Sequence, residues 1–81
     1  MYIAIRGRYK VVCSFPQVVY DSSGLPAYLQ QGEILTKVTF DFWLNLYDFF
    51  SHRSWYVNSN GQLVDVGRGS YIETKCLVSV D

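Results

Sequence analysis

The chain is poor in the residues that usually announce chemistry. Among its 81 residues there is one histidine, one methionine, two prolines and two cysteines. With His52 alone, a His-pair metal site is excluded, and no CxxC is present to replace it. Net charge is also lacking: seven Lys plus Arg cancel seven Asp plus Glu. No overall field draws such a molecule to a phosphate backbone, and little repulsion keeps its copies apart, which favours self-association. The longest apolar run falls far short of the roughly 18 residues that span a membrane. The opening residues MYIAIRGRYK lack the basic start, apolar core and cleavage site of a secretory signal, so a cytoplasmic location is expected.

What is abundant is apolar and aromatic. Hydrophobic residues make up 49% and aromatics 17%, against 17% charged, which excludes disorder. One domain over residues 1–81 is expected, near the lower size limit for folding without staples. Cys13 and Cys76 lie far apart in sequence, and two readings stand side by side: a disulfide between an early and a late strand, or two buried thiols acting as small hydrophobes. Without a secretion signal, the second is expected.

The pattern along the chain is mostly that of strands. Residues 2–6 and 9–15 flank Gly7 as a hairpin, with Tyr9, Val11, Cys13 and Phe15 sharing one face. A short β-branched run, 17–20, precedes Asp21-Ser22-Ser23-Gly24 and Pro26, which have turn chemistry. Residues 21–33 read as the largest irregular region, with Tyr28 and Leu29 as exposed apolar candidates. Residues 34–38 are another strand or the approach to a helix.

Residues 40–50 read FDFWLNLYDFF, with six aromatics among eleven positions. As a strand the alternation holds until Asp48. As a helix, Asp41, Asn45, Asp48 and His52 form one polar stripe, Thr39 is a competent N-cap, and His52 and Arg53 suit the C-terminal dipole. The helix accounts for every polar residue and is the expectation over about 40–52. Beyond it, Asn60-Gly61 signals a two-residue hairpin loop pairing Trp55 with Val66, Tyr56 with Asp65 and Val57 with Val64. Gly67-Arg68-Gly69-Ser70 makes a further turn, and residues 71–80 a long final strand. The expected fold is therefore α+β: an antiparallel sheet of five or six strands with one α-helix packed on it.

Candidate sites are few. Gly67-Arg68-Gly69 has the GxG spacing of phosphate loops but lacks the third glycine, the lysine and the following helix. A Cys–His pair or paired acids at Asp41 and Asp48 have no supporting spacing, so no enzyme, cofactor or metal site is expected. Arg6, Arg8 and Lys10, interleaved with Tyr2 and Tyr9, form the best nucleic-acid candidate, although a charged edge that deters sheet pairing explains them more simply. The aromatic surplus carries more weight, because interface centres are rich in Tyr, Trp and Phe and poor in Lys. Trp43, Tyr47, Phe49, Phe50, Tyr56 and Tyr71 are the expected protein-binding residues. The partner is another protein or a second copy; nucleic acid is disfavoured and no membrane is expected.

In general character, as a short aromatic chain starting at Met1 without tails or motifs, the sequence is similar to small phage-encoded accessory proteins, including anti-CRISPR and other anti-defence inhibitors. The likeness covers the whole chain and rests on no motif. It implies a non-enzymatic module that occludes a partner; the alternatives are a homo-oligomeric subunit of a virus particle and a small single-stranded nucleic-acid binder.

Overall fold

The computed structural model describes residues 2–41 and 53–80. These form one antiparallel sheet of seven strands: β1 Tyr2–Val11, β2 Gln17–Asp21, β3 Pro26–Leu29, β4 Ile34–Asp41, β5 Trp55–Val57, β6 Leu63–Asp65 and β7 Leu77–Ser79. Their order in space is β3-β2-β6-β5-β4-β1-β7.

The expected α+β plan is overturned, for reasons visible in β4. Phe40 and Asp41, the first two residues of the anticipated helix, continue the strand and pair with Ile3 and Tyr2. The hydroxyl of Thr39, read as an N-cap, instead accepts a hydrogen bond from Arg6 Nε of the neighbouring strand at 3.0 Å. The β-branched run Ile34, Thr36, Val38, Thr39 favours this continuation once a partner strand is present. Residues 42–52 lie outside the described ones. Helix among the described residues is confined to a single π-helical turn, Ile72–Cys76.

That turn replaces most of the anticipated final strand. Ser70 Oγ accepts from the Glu73 backbone N–H at 3.2 Å, and Glu73 Oε1 accepts from Gly69 N–H at 3.0 Å. Ser70-Tyr71-Ile72-Glu73 is thus a variant of the capping box, with the carboxylate reaching one residue further back. β7 then joins β1 at the far edge, so β5, β6 and β7 do not form the expected meander.

At the start of the chain the expected hairpin is instead one strand with a bulge. Ile5 pairs with Val38 and Gly7 with Lys37, leaving Arg6 as the extra residue. Gly7 has φ 145°, a conformation side chains disfavour. The extra residue inverts the alternation: Ile3 and Ile5 share the outer face with Arg8 and Lys10, while Tyr9 and Val11 turn inward.

One short connection gives the sheet its curl. Gln30 and Glu33 close a tight turn, with Glu33 N–H donating to Gln30 O at 3.1 Å, and this turn joins β3 directly to β4. In a flat sheet of the observed order those strands would stand roughly 19 Å apart, at about 4.8 Å per strand. A tight turn spans less than about 7 Å, so the sheet coils until β3 returns toward β4. The concave face so formed holds the core: Val11, Val19, Leu29, Leu35, Tyr56, Val64, Val66 and Leu77. All seven strands contribute to it. Leu29, anticipated as exposed in a loop, is 0% exposed there.

Candidate functional site

The β2–β3 hairpin is built by its loop. Asp21 Oδ1 accepts from the N–H groups of Ser23 and Leu25, each at 2.9 Å, while Gly24 N–H donates to Asp21 O and Gly24 takes φ 83°. This is a three-residue loop with glycine at its left-handed position. It sets the register Val18 opposite Tyr28 and Tyr20 opposite Pro26. These four residues lie together on the outer face of the sheet, with Tyr20 54% and Tyr28 61% exposed. The hairpin occupies the region that its Gly, Ser and Pro content marked as irregular; Asp-Ser-Ser-Gly between two β-prone runs was the signal for it.

β3 is also an edge of the sheet. Asp21 N–H donates to Leu25 O at 2.9 Å, and antiparallel alternation then turns the backbone groups of Ala27 and Leu29 toward β2. Pro26 and Tyr28 turn theirs away from it. Pro26 is tolerated in the strand because the N–H it lacks would have pointed outward. Tyr28 consequently presents both an N–H and a C=O to the open side. Alongside runs a cleft of about 540 Å³, lined by Pro26, Ala27 and Tyr28 and by the amides Gln30, Gln31, Asn58, Asn60 and Gln62 with Glu33 and Ser59. Glu33 braces it: Oε1 accepts from Gln30 N–H, and Oε2 accepts from Ser59 N–H and Oγ.

The residues singled out from sequence scatter. Trp43, Tyr47, Phe49 and Phe50 lie outside the described residues. Tyr71 is exposed at the start of the helical turn. Tyr56 is 1% exposed and offers no contact surface. The reason is a one-residue change of register. The β5–β6 hairpin has a three-residue loop rather than two, so Tyr56 pairs with Val64 and Trp55 with Asp65. Each slip by one residue exchanges the two faces of a strand.

Tyr56 instead anchors a partly buried polar cluster. Its hydroxyl donates to Glu73 Oε2 at 3.2 Å, its ring meets Tyr9 edge-on at a centroid distance of 5.8 Å, and Lys37 Nζ lies 5.9 Å from the ring centre. Burial, then the charge and hydrogen bond of Glu73, push the Tyr56 hydroxyl well above its usual range. Burial alone would raise Glu73. The hydrogen bonds from Gly69 and Ser54, the Lys37 charge and the Tyr56 hydroxyl outweigh it and hold the carboxyl low. A protonated tyrosine beside an ionised glutamate whose oxygens are both engaged fastens the helical turn to the sheet. Among the described residues, no three His, Cys, Asp or Glu come together as a metal site.

The basic set is likewise divided. Arg8 and Lys10 point outward beside Thr36, Ile34 and Val78, none of them aromatic. Tyr9 faces the core, Arg6 bonds to Thr39, and the Tyr2 side chain is not among those described. Tyr9 and the cations Arg8 and Lys10 therefore lie on opposite faces of β1. No helix among the described residues is long and apolar enough to cross a membrane.

Comparison with protein-family models, curated proteins and solved structures finds no match to this chain.

Proposed function

We propose that this chain is a non-enzymatic protein-binding module whose contact surface is the β2–β3 hairpin. The observation that supports this reading is the coincidence of an exposed Tyr20–Tyr28 face with the open backbone of Tyr28 beside an amide-lined cleft. Strand addition at a sheet edge takes its affinity from main-chain bonds and its selectivity from flanking side chains. An extended segment of a partner protein laid along β3 would bond to Tyr28 N–H and C=O, cover the two tyrosine rings and place its polar groups among Gln30, Gln31, Asn58, Asn60 and Gln62. The module then acts by occlusion, in the manner implied by its likeness in character to small phage anti-defence inhibitors, and works in the cytoplasm, that of the host if it is viral.

The test compares proteins captured from a cell lysate by the wild type, by Tyr20→Ala/Tyr28→Ala, and by Tyr28→Pro, which removes the outward N–H without touching the β2 ladder. Selective loss of one captured protein in both variants is expected. Equal recovery of every captured protein would sink the proposed contact face.

A second copy is the alternative partner, favoured by a different edge. β7 and the residue after it cover β1 only from Arg8 onward, so residues 2–6 have β4 as their one neighbouring strand among the described residues. Ile5 there is 73% exposed. Light scattering decides it: a strict monomer at high micromolar concentration would rule out pairing through this edge.

A further inference from the structure

Two segments far apart in sequence bring the chain's only two thiols together. Cys13 follows β1, and Cys76 ends the helical turn just before β7. The backbone clamps the segments side by side, because Val12 N–H donates to Cys76 O at 2.8 Å. That bond sets Cys76 opposite the residue before Cys13, the two thiols are close enough for Cys13 to shift Cys76, and both are free. They differ in access: Cys76 is 0% exposed, whereas Cys13 packs against the core from a half-buried position.

We propose that Cys13 and Cys76 form a redox-closable clasp, a modification site at which oxidation by a small disulfide fastens the edge strand β7 to the end of β1. The inference stands independently of the partner the hairpin binds. Access assigns the order of events. Burial, and next the Cys13 thiol, push Cys76 up to about 11, so it is the poorer initial nucleophile. The Cys13 thiolate attacks one sulfur of a disulfide such as oxidised glutathione, releasing one small thiol and leaving a mixed disulfide. Cys76 then yields its proton to solvent and attacks the Cys13 sulfur, releasing the second small thiol. Two protein thiols lose two electrons and two protons, and the small disulfide is reduced to two thiols.

The consequence is local. β7 is three residues long and, among the described residues, meets the sheet only through β1. So short an edge strand opens readily in the reduced chain, and a covalent tie beside its first residue holds it closed.

The experiment treats the full chain with oxidised and reduced glutathione in graded ratios and reads intact mass, free thiols and hydrogen exchange. The expected product is a monomer lighter by two hydrogens with no free thiol, slower exchange in residues 77–80 and a Tm raised by about 10 °C. Cys13→Ser blocks the reaction, and Cys76→Ala halts it at a mixed disulfide on Cys13. Should Cys76→Ala fail to fold, the wild-type mass still decides. A mixed disulfide that persists in the wild type, covalent dimers in place of the internal bond, or unchanged exchange in β7 after closure would each overturn the clasp.

Discussion

The two hairpins β2–β3 and β5–β6 are turned by the same device and place their tyrosines on opposite faces of the sheet. Asn58 Oδ1 accepts from Asn60 N–H at 3.0 Å and Gln62 N–H at 2.8 Å, Gly61 N–H donates to Asn58 O, and Gly61 takes φ 80°. Each of these bonds has its counterpart in Asp21, Ser23, Leu25 and Gly24. Both loops thus follow the pattern Asp/Asn-Ser-polar-Gly, with the acidic or amide side chain standing in for a backbone acceptor. Yet β5 turns Tyr56 onto the concave face, beside Val19 and Leu29 of the other hairpin, while β2 and β3 turn Tyr20 and Tyr28 onto the outer face. Loop chemistry sets which residues face each other; the side of the strand a tyrosine occupies sets whether it is core, as Tyr56 is with Val19 and Leu29, or surface, as Tyr20 and Tyr28 are.

Removing the aromatic rings tests this contrast hardest. Tyr56→Ala empties a core position and is expected to cost about 3–5 kcal/mol. Tyr28→Ala should change stability by no more than about 0.5 kcal/mol, as an exposed substitution. Urea denaturation of the two variants measures the difference, and similar losses would mean that the β2–β3 face is packed in solution.

The loop acceptors come next. Asn58→Ala strands two partly buried N–H groups and should cost about 2 kcal/mol, whereas water can replace the acceptor in Asp21→Ala, which should cost about 1 kcal/mol or less. Gly24→Ala and Gly61→Ala should instead behave alike. An added Cβ meets nothing within 4 Å at either site, so only left-handed backbone strain remains, about 1–2 kcal/mol each. Unequal losses in that pair would break the equivalence of the loops.

The smallest effect is the response to pH, read at the Tyr56–Glu73 pair. Glu73 is held below its ordinary value, so its contribution is present above the unfolded carboxylate range and is lost as pH falls through the folded value. Tyr56 is raised, so its contribution is present below the ordinary tyrosine value of 10.0 and is lost as pH rises toward the folded one. Denaturant midpoints measured across pH should fall at both ends. Glu73→Gln should flatten the acid limb and Tyr56→Phe the alkaline one; acid and alkaline limbs unchanged in both variants would detach the cluster from stability.

Several differences between the local sequence pattern and the fold share one physical origin. Strand and turn signals at Tyr9, Val11, residues 17–20, Asn60-Gly61 and Gly67–Ser70 were legible because they are local. Ser70-x-x-Glu73 and Asp-Ser-Ser-Gly are equally local, and their spacing is visible in the sequence. Thr39 was not decidable in that way: a threonine hydroxyl can cap a helix or bond across strands, and Arg6, 33 residues away, took it. The candidate site suffered similarly. The exposure of Tyr28 is legible in the sequence, but Val18, Tyr20 and Pro26 become its neighbours only through pairing.

By itself, then, the sequence determined a chain rich in strands, without net charge, a histidine pair or a long apolar run, and with glycines at its turns. These follow from composition, alternation and the backbone conformations that residues permit, none of which requires a distant partner. The tertiary structure alone decided the bulge at Arg6, the one-residue register of Tyr56, the curl that buries Leu29 and the meeting of Cys13 with Cys76. Each is a relation between strands. A strand has two faces of equal local merit, and only its neighbours determine which one stays dry.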